Sequence, residues 1–377
     1  MNFENFKSGK WMPQYQYKSF SPVLVNRLWS WSDPKINTLL EKASRALAEL
    51  DAFTLIVPDV DLFIQMHITK EANTSSRIEG TQTEMDEAVL DHNQLAPEKR
   101  DDWQEVQNYV QALNEAIDSL QSLPLSNRLL KQTHAILMKG ARGERKSPGE
   151  FRTSQNWIGG SSLTDAAFIP PHVDELADLM SDLEAFWHND GINVPQLIRI
   201  AISHYQFETI HPFLDGNGRI GRLLITLYLV DKGLLRMPSL YLSDFFERNR
   251  GSYYDALTQV RLSNDITHWV QFFLSAVIET ATKGKQTFQA ILKLRQELDS
   301  LIMTYGKRAE NAHIMLRHLY KTPTITINQA ADILKLSHQA AASLIKKLAE
   351  DNVLHEYTGY QRNKVFMFSR YIELFMN

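Results

Sequence analysis

The chain has 377 residues, of which 44% are hydrophobic and 10% aromatic, and its formal net charge is -4. This composition excludes a disordered or fibrous protein, and the length corresponds to two or three ordinary domains. The absence of cysteine excludes disulfides, thiol nucleophiles and cysteine metal sites. The longest apolar run, Leu223 to Val230, is too short to span a bilayer, and the N-terminus lacks a signal-peptide core. We therefore expect a cytoplasmic protein without membrane contact.

Residues 1–35 are aromatic and irregular, and a helical period of apolar residues follows them. The period recurs in segments 33–53, 60–72, 103–120, 127–140 and 177–189, and again on both sides of residues 211–218. The first three quarters of the chain is therefore predicted to be mostly α.

A glycine-rich interruption, Ser147 to Pro171, separates two of these helical segments. Its Gly159-Gly160 and Pro170-Pro171 pairs predict a turn or hairpin, and a loop of this length inside a helical domain is usually functional. Just before it, Gly140–Ser147 is a near miss to a phosphate-binding Walker A loop. We interpret that segment as a basic surface loop.

From Arg308 onward the predicted order is helix, short strand, helix, a helix capped by Ser337, and two short strands, which is the order of a winged helix. Residues 307–377 carry a net charge of +4, whereas the rest of the chain carries -8. We predict a helical segment at 1–110, a core domain at 111–285, a connecting helix at 286–306 and a winged-helix domain at 307–377.

The stretch "TIHPFLDGNGRIGRLL", Thr209 to Leu224, is the most informative in the chain. A long helical pattern precedes it, its glycines allow a tight turn, and an apolar helix follows. The positive end of that helix is an anion site, to which Arg219 and Arg222 add charge, so the expected ligand is a polyphosphate. Asp215 is placed to bind Mg²⁺, and His211 can act as a general base. His204 lies on an apolar stripe and is expected to be a core histidine.

The same stretch also matches G-x-G-x-x-G, the dinucleotide-binding turn. That turn requires a strand before the glycines, whereas here a helical pattern precedes them. The helical context disfavours the dinucleotide interpretation.

The segment "HPFLDGNGRIGR" is similar to the signature of the Fic-domain family, and it matches every defined position. The resemblance extends over residues 21–281 and includes "GEFR" at Gly149 to Arg152. It implies a helical Fic core that transfers AMP from ATP to a hydroxyl of a target protein, with Mg²⁺ as cofactor. His211 would be the base and Asp215 the metal ligand. The nucleotide would be bound by Gly216, Asn217, Gly218, Arg219, Ile220, Gly221, Arg222, Asn249, Tyr253 and Tyr254.

The resemblance also assigns a role to the glycine-rich interruption. Residues Ile158 to Ile169 would form a flap, a hairpin that holds the target peptide as an added strand near His211. Tyr253 and Tyr254 would lie near the nucleoside, although ordinary helix packing explains them equally well. Arg261 stands where some relatives have an asparagine that contacts the base.

A second short stretch, "SSRIEG" at Ser75 to Gly80, would be an ordinary helix end if taken alone. It resembles the inhibitory motif of Fic proteins, in which the glutamate pairs with the second arginine of the signature. The resemblance implies that Ser75 and Glu79 are regulatory, that Glu79 pairs with Arg222, and that the inhibition is intramolecular.

Several alternatives remain open from the sequence. The basic C-terminal domain could bind nucleic acid, dock a target protein or form a homodimer. The chain could also be a DNA-binding regulator that uses its Fic domain as a nucleotide sensor. Related enzymes transfer other phosphate-containing groups to Ser, Thr or Tyr hydroxyls of target proteins, or remove AMP from them.

Overall fold

The computed structural model describes residues 1–140, 146–359 and 362–376. The fold is mainly α, as predicted. The helices are α1 (Pro34–Ile56), α2 (Val60–Ile78), α3 (Met85–Ala88), α4 (Arg100–Ser119), α5 (Asn127–Leu137), α6 (Leu176–His188), α7 (Gln196–Ile210), α8 (Asn217–Asp231), α9 (Ser243–Arg248), α10 (Arg250–Ser263), α11 (Ile266–Met303), α12 (Ala309–Lys321), α13 (Ile327–Leu334), α14 (His338–Glu350) and α15 (Ser369–Met376). The strands are β1 (Gly9–Pro13), β2 (Lys18–Pro22), β3 (Thr324–Thr326), β4 (His355–Glu356) and β5 (Val365–Met367). The predicted basic loop at Gly140–Ser147 falls mainly on 141–145, outside the described residues.

The N-terminal region, predicted to be irregular, contains an antiparallel hairpin. β1 and β2 pair with Gly9 opposite Pro22. The amide of Phe20 in β2 donates a hydrogen bond to the carbonyl of Ile169 at 2.9 Å. This backbone hydrogen bond links the hairpin to the end of the flap.

Helices α7, α8 and α11 form the centre of the molecule. Every residue of α7 from Leu197 to Ile210 is buried, so this helix is surrounded by protein on all sides. α11 has 38 residues and packs along α1 and against α7, α9 and α10. It continues without a break across residue 285, and the boundary predicted at residue 110 lies inside α4.

The C-terminal module, residues 307–376, has the element order that the sequence predicts. α12, β3, α13, α14 and the β4–β5 pair follow one another, and the sheet order is β3-β5-β4. Ser337 caps α14 by accepting a hydrogen bond from the amide of Ala340, as predicted. The sequence did not predict α15, whose buried face includes Tyr371 and Phe375.

The module packs directly on α2. Phe63 of α2 contacts the ring of Tyr320 with centroids 5.1 Å apart, and it also contacts Tyr371. His67 lies one turn further along α2 and contacts Phe375 at 4.9 Å. The module and the helical domain therefore share one continuous hydrophobic core.

Candidate nucleotide site

His211 lies immediately after α7 and turns the chain toward α8. Its backbone is in the left-handed region, with φ 51° and ψ 60°, which is uncommon for a residue other than glycine. Its carbonyl accepts hydrogen bonds from Arg152 Nε and Asn156 Nδ2, both at 3.1 Å. These two side chains hold the strained turn in place.

The loop from Phe213 to Gly216 is a tight turn that hydrogen bonds to the Asn217 side chain hold together before α8 begins. Asn217 accepts a hydrogen bond from the amide of Phe213 and donates one to its carbonyl, both at 2.8 Å. The Asn217 side chain therefore shapes the loop. Any contribution of this residue to phosphate binding comes from its backbone N–H, which lies in the unpaired first turn of α8.

His134 of α5 contacts the same loop and supports it. Its ring stacks on Phe213 with centroids 3.8 Å apart, and its Nε2 lies 3.0 Å from the carbonyl oxygen of Asp215. Its Nδ1 accepts a hydrogen bond from the amide of Gly149 at 2.9 Å. Burial lowers the pKa of His134 to about 4, so the ring is neutral and positions Asp215.

A cavity of about 310 Å³ opens above the first turn of α8. Most of the residues predicted for the site line it. They are His211, Asp215, Gly216, Asn217, Gly218, Arg222, Tyr253, Tyr254 and Glu79, and they are joined by Trp157, Ile158, Gly159, Glu208, Leu214, Leu257 and Arg261. Four other residues that were predicted to bind nucleotide do not line it.

Ile220 and Gly221 lie inside α8 and face the core. Ile220 is fully buried, and its amide already donates to the carbonyl of Gly216 at 3.0 Å. A Cβ on Gly221 would lie 2.1 Å from Glu208 Oε1, so glycine here makes room for that carboxyl group. Both residues pack the helix rather than line the cavity.

Arg219 and Asn249 use their side chains elsewhere. Arg219 pairs with Glu105 at 3.1 Å, and its side chain is 7% exposed. Asn249 donates from Nδ2 to the carbonyl of Phe245 at 2.9 Å and so links the end of α9 to α10. In this arrangement neither side chain reaches the cavity.

Glu79 and Arg222 form an ion pair at the edge of the cavity. Arg222 donates to Glu79 Oε1 at 2.6 Å, to the hydroxyl of Ser75 at 2.8 Å and to the Ser75 carbonyl at 3.0 Å. A Cβ on Gly218 would lie 2.3 Å from Glu79 Oε1, so this glycine provides space for the carboxylate. Burial raises the pKa of Glu79, but the Arg222 guanidinium outweighs it and holds the pKa below the usual range. The predicted inhibitory residues thus meet the predicted arginine.

The imidazole of His211 has the properties of a neutral base. Burial lowers its pKa to about 4, against the opposite effect of the neighbouring carbonyl of Glu208. At neutral pH the ring is therefore unprotonated and can accept a proton from a hydroxyl group. His204, by contrast, is a core histidine that bridges the Gly221 carbonyl and the Tyr253 hydroxyl.

The flap borders the cavity through Trp157, Ile158 and Gly159. Ile158 and Phe168 form an antiparallel bridge with backbone hydrogen bonds of 2.8 and 3.1 Å. At the tip, the Asp165 carboxylate accepts hydrogen bonds from the amides and hydroxyls of Ser161 and Ser162. Trp157 lies at the cavity edge and is 40% exposed.

Sequence reasoning missed several residues of the site, among them His134, Arg152, Asn156, Glu208, and Arg261 as a cavity residue. Arg152 belongs to the quoted "GEFR" segment, and its burial among carbonyl groups lowers its pKa to about 10. Asn156 and Glu208 carry no sequence pattern of their own. The folded chain brings Asn156 next to His211, whereas Glu208 precedes His211 by three residues in the last turn of α7.

Among the residues that the structure describes, no group of three or more His, Asp or Glu side chains could hold a metal ion. A cation at this site would have to share the Asp215 carboxylate with a phosphate ligand. The helices described are also too short or too polar to cross a membrane.

Residues 37–118 match the family described as Fic/DOC family N-terminal, and residues 124–229 match the Fic/DOC family. The chain belongs to the Fic/DOC family. Among curated relatives, the protein adenylyltransferase Fic of Culex quinquefasciatus is 35% identical over 133 residues, which is 35% of this chain and 24% of that protein. The one of Drosophila erecta is 32% identical over 165 residues, 43% of this chain and 30% of that protein. The Fic chain thus spans less than a third of these relatives.

A solved structure supports the Fic fold over most of the chain. The crystal structure of a Fic family protein from Desulfovibrio desulfuricans G20 aligns with a TM-score of 0.52 and 21% identity. The alignment covers 89% of this chain and 96% of that chain. This similarity extends the shared fold beyond the two matched segments.

Proposed function

We propose that the chain is a protein adenylyltransferase that transfers AMP from ATP to a Ser, Thr or Tyr hydroxyl of a target protein, and to itself. The observation that carries the proposal is that a neutral His211 and the unpaired first turn of α8 open into the same cavity. The relatives named above as adenylyltransferases support it.

The step requires one proton transfer and one exchange at phosphorus. The hydroxyl oxygen bonds to the α-phosphorus of ATP as its proton passes to His211, and the bond to the β-phosphate oxygen breaks to release pyrophosphate. The backbone N–H groups of Asn217 and Gly218 would hold phosphate oxygens. Arg222 would bind the terminal phosphate once Glu79 has left it.

Asp215 is suited to help bind Mg²⁺ on the polyphosphate. Its side chain is 48% exposed at the cavity, and Mg²⁺ on phosphates is usually held by one or two carboxylates. The ion would neutralise charge on the phosphates. The target hydroxyl would arrive on a segment that pairs with the flap edge at Trp157 to Gly159.

A regulator that uses this site only as a nucleotide sensor is the weaker candidate. A sensor needs phosphate contacts but no base, whereas burial keeps the His211 imidazole neutral at the cavity, and Arg152 and Asn156 hold its backbone in place. We therefore favour the adenylyltransferase over the nucleotide sensor.

The test is to incubate the purified chain with each α-labelled nucleoside triphosphate, with and without cell lysate. The Glu79→Gly chain serves as the form in which Arg222 is free of the Glu79 carboxylate. The double variant Glu79→Gly with His211→Ala is the matched control. We expect labelled protein with ATP, lowered about 10²- to 10⁴-fold by the histidine change. Equal labelling with and without His211 would refute the mechanism, and no labelling with any nucleotide would refute the proposed function.

A further inference from the structure

We infer that Tyr109 and Glu71 are positioning residues for Arg222. They act through Ser75, and they keep the Arg222 guanidinium directed at the terminal phosphate once Glu79 has left it. The inference rests on the proposed function, in which Arg222 binds that phosphate. It gives Ser75 a part in the active arrangement, beyond the regulatory role that the resemblance implies.

The Arg222 guanidinium is held by two different residues of α2. Nε donates to the Ser75 hydroxyl at 2.8 Å, and Nη2 donates both to the Ser75 carbonyl at 3.0 Å and to Glu79 Oε1 at 2.6 Å. Nη1 lies beside Gly218, where a Cβ would come within 3.0 Å of it. Of the five N–H donors of a guanidinium, two therefore stay on Ser75 when Glu79 leaves, and they fix the direction of the others.

The Ser75 hydroxyl is oriented by a chain of hydrogen bonds that ends on Glu71. Because Ser75 Oγ accepts from Arg222, its own proton needs a second acceptor inside the protein. Burial and Glu71 raise the pKa of Tyr109, and a hydrogen bond from the Ser75 hydroxyl acts in the opposite direction. The Tyr109 hydroxyl in turn donates to Glu71 Oε1 at 3.1 Å. Every hydrogen bond of the chain thus runs in one direction, from Arg222 to Glu71.

Glu71 anchors this chain because it is fixed by three helices. It lies on α2, one turn before Ser75, and its Oε1 accepts hydrogen bonds from Tyr109 of α4 and from Ser243 of α9. All four side chains are buried, which strengthens their hydrogen bonds. Burial raises the pKa of Glu71, but Oε1 can accept these bonds whether or not Oε2 carries a proton.

Helix α4 supports both arginines of the signature, in two different ways. Glu105 pairs with Arg219 directly at 3.1 Å. Tyr109 follows Glu105 by four residues, on the same face of α4, and reaches Arg222 only through Ser75. The direct pair occupies the Arg219 guanidinium, whereas the indirect support leaves donors of Arg222 for a ligand. This difference is what an arginine that binds a phosphate requires.

The test measures binding of ATP and ADP to the Glu79→Gly chain by calorimetry, since ADP lacks the terminal phosphate assigned to Arg222. We expect ATP to bind more tightly than ADP. Tyr109→Phe should lower the ATP affinity about 2- to 10-fold, as for the loss of one hydrogen bond, and leave the ADP affinity unchanged. Tyr228→Phe is the matched control, because Tyr228 is also buried, lies on α8 like Arg222 and donates from its hydroxyl to Gln196. It should change neither affinity.

Glu71 is tested by two changes in the same background. Glu71→Gln keeps an oxygen that can accept from Tyr109 and Ser243, so it should retain the preference for ATP. Glu71→Leu removes the acceptor and should reduce the preference as Tyr109→Phe does.

The inference is overturned if the Glu79→Gly chain binds the two nucleotides equally, or if Tyr109→Phe changes both affinities alike or neither of them. A loss of ATP affinity that Glu71→Gln shares with Glu71→Leu would also contradict it, because the acceptor is then not what matters. Binding is measured without transfer, so absence of labelled protein would refute the proposed function and leave this result standing.

Discussion

At the scale of single residues, Arg222 holds the carboxylate of Glu79 at the place where we propose that a terminal phosphate binds. Arg222 is 3% exposed and makes three hydrogen bonds to Ser75 and Glu79. A terminal phosphate would need the same donors, so carboxylate and phosphate compete for one guanidinium. Removing the carboxylate should therefore activate the chain, the opposite of the usual effect of a change near an active site.

We predict that Glu79→Gly raises self-labelling with ATP roughly ten- to a hundredfold, as expected for loss of a charge-assisted contact of ~1.5–3 kcal/mol. The double variant with Arg222→Ala should lose the gain. Glu247→Gln, which breaks the 2.8 Å pair with Arg77 at the end of the same helix, is the control and should change little. Equal labelling by the parent and Glu79→Gly would show that Glu79 is not inhibitory.

The low pKa of His211 predicts the pH profile of transfer. A base works when it is unprotonated, so a pKa of about 4 leaves His211 competent above that value and inactive only as the pH falls through it. In the Glu79→Gly chain the Glu79 carboxylate no longer raises this pKa. Single-turnover labelling at saturating ATP should show no acid limb near pH 6.5, the usual histidine value. Half-maximal activity near pH 6.5 would contradict the assignment.

Asp215 gives a prediction about metal dependence. Asp215→Asn keeps an oxygen that can accept the 2.6 Å hydrogen bond from the Gly216 amide, but it removes the negative charge. We expect ATP affinity to become nearly independent of Mg²⁺, whereas the parent binds ATP more tightly when Mg²⁺ is present. Calorimetric titrations with and without Mg²⁺ measure both values. An unchanged response to Mg²⁺ would remove Asp215 from the metal site.

At the scale of elements, the N-terminal hairpin holds the flap in position. Phe168 packs against Trp11 and Phe20, with ring centroids 5.9 and 5.8 Å apart. Aromatic pairs of this kind contribute ~0.5–1.5 kcal/mol each beyond area burial. The flap edge next to His211 is thus supported from behind by a strand pair that lies far from it in the sequence.

We predict that Trp11→Ala loosens the flap without affecting ATP binding. Amide hydrogen exchange at Ile158 and Phe168 should become about 2- to 10-fold faster, in line with the loss of one such pair. Tyr15→Ala, at a 96% exposed position in the turn of the same hairpin, is the control. Unchanged exchange in Trp11→Ala would mean that the hairpin does not support the flap.

The sequence predicted those elements that short, contiguous stretches of the chain encode. The helical period located the central helices, and the clustered signature located His211, Asp215 and Arg222 because one loop and one helix turn carry them all. The N-terminal hairpin was not predicted from the sequence. Its two strands have only five residues each, and the second strand also forms a backbone hydrogen bond with Ile169 at the end of the flap. Glu208 was not predicted because tertiary packing creates its position against Gly221 and its closeness to the charges of Arg222 and Arg261.

At the scale of the whole molecule, the C-terminal module and the cavity lie on different parts of α2. Asp59 at the start of the helix pairs with Arg317 of α12 at 3.0 Å, and Tyr357 reaches Asp86 just beyond its end at 2.9 Å. Glu79 is the C-cap of the same helix. The module therefore contacts the helix that ends at Glu79, the carboxylate that we propose to be inhibitory.

We predict that Phe375→Ala, which removes the ring on His67, loosens α2 and raises self-labelling a few-fold. The gain should stay below that of Glu79→Gly and should vanish in the Glu79→Gly background, since both changes act on one contact. Met376→Ala, at a 60% exposed position, is the control. Additive gains in the double variant would show that the module acts by another route.

The C-terminal module packs on α2, and Glu79 lies at the end of the same helix. This arrangement has a thermodynamic consequence. If the proposed inhibition acts through the position of α2, a nucleotide that requires Glu79 to leave Arg222 would favour a displaced α2, and the packed module would favour the position seen in the structure. By linkage, the factor by which docking weakens productive nucleotide binding equals the factor by which that nucleotide weakens docking. The module's contacts with α2 would then depend on the ATP concentration, and whatever binds the module would shift the ATP concentration at which the proposed transfer responds.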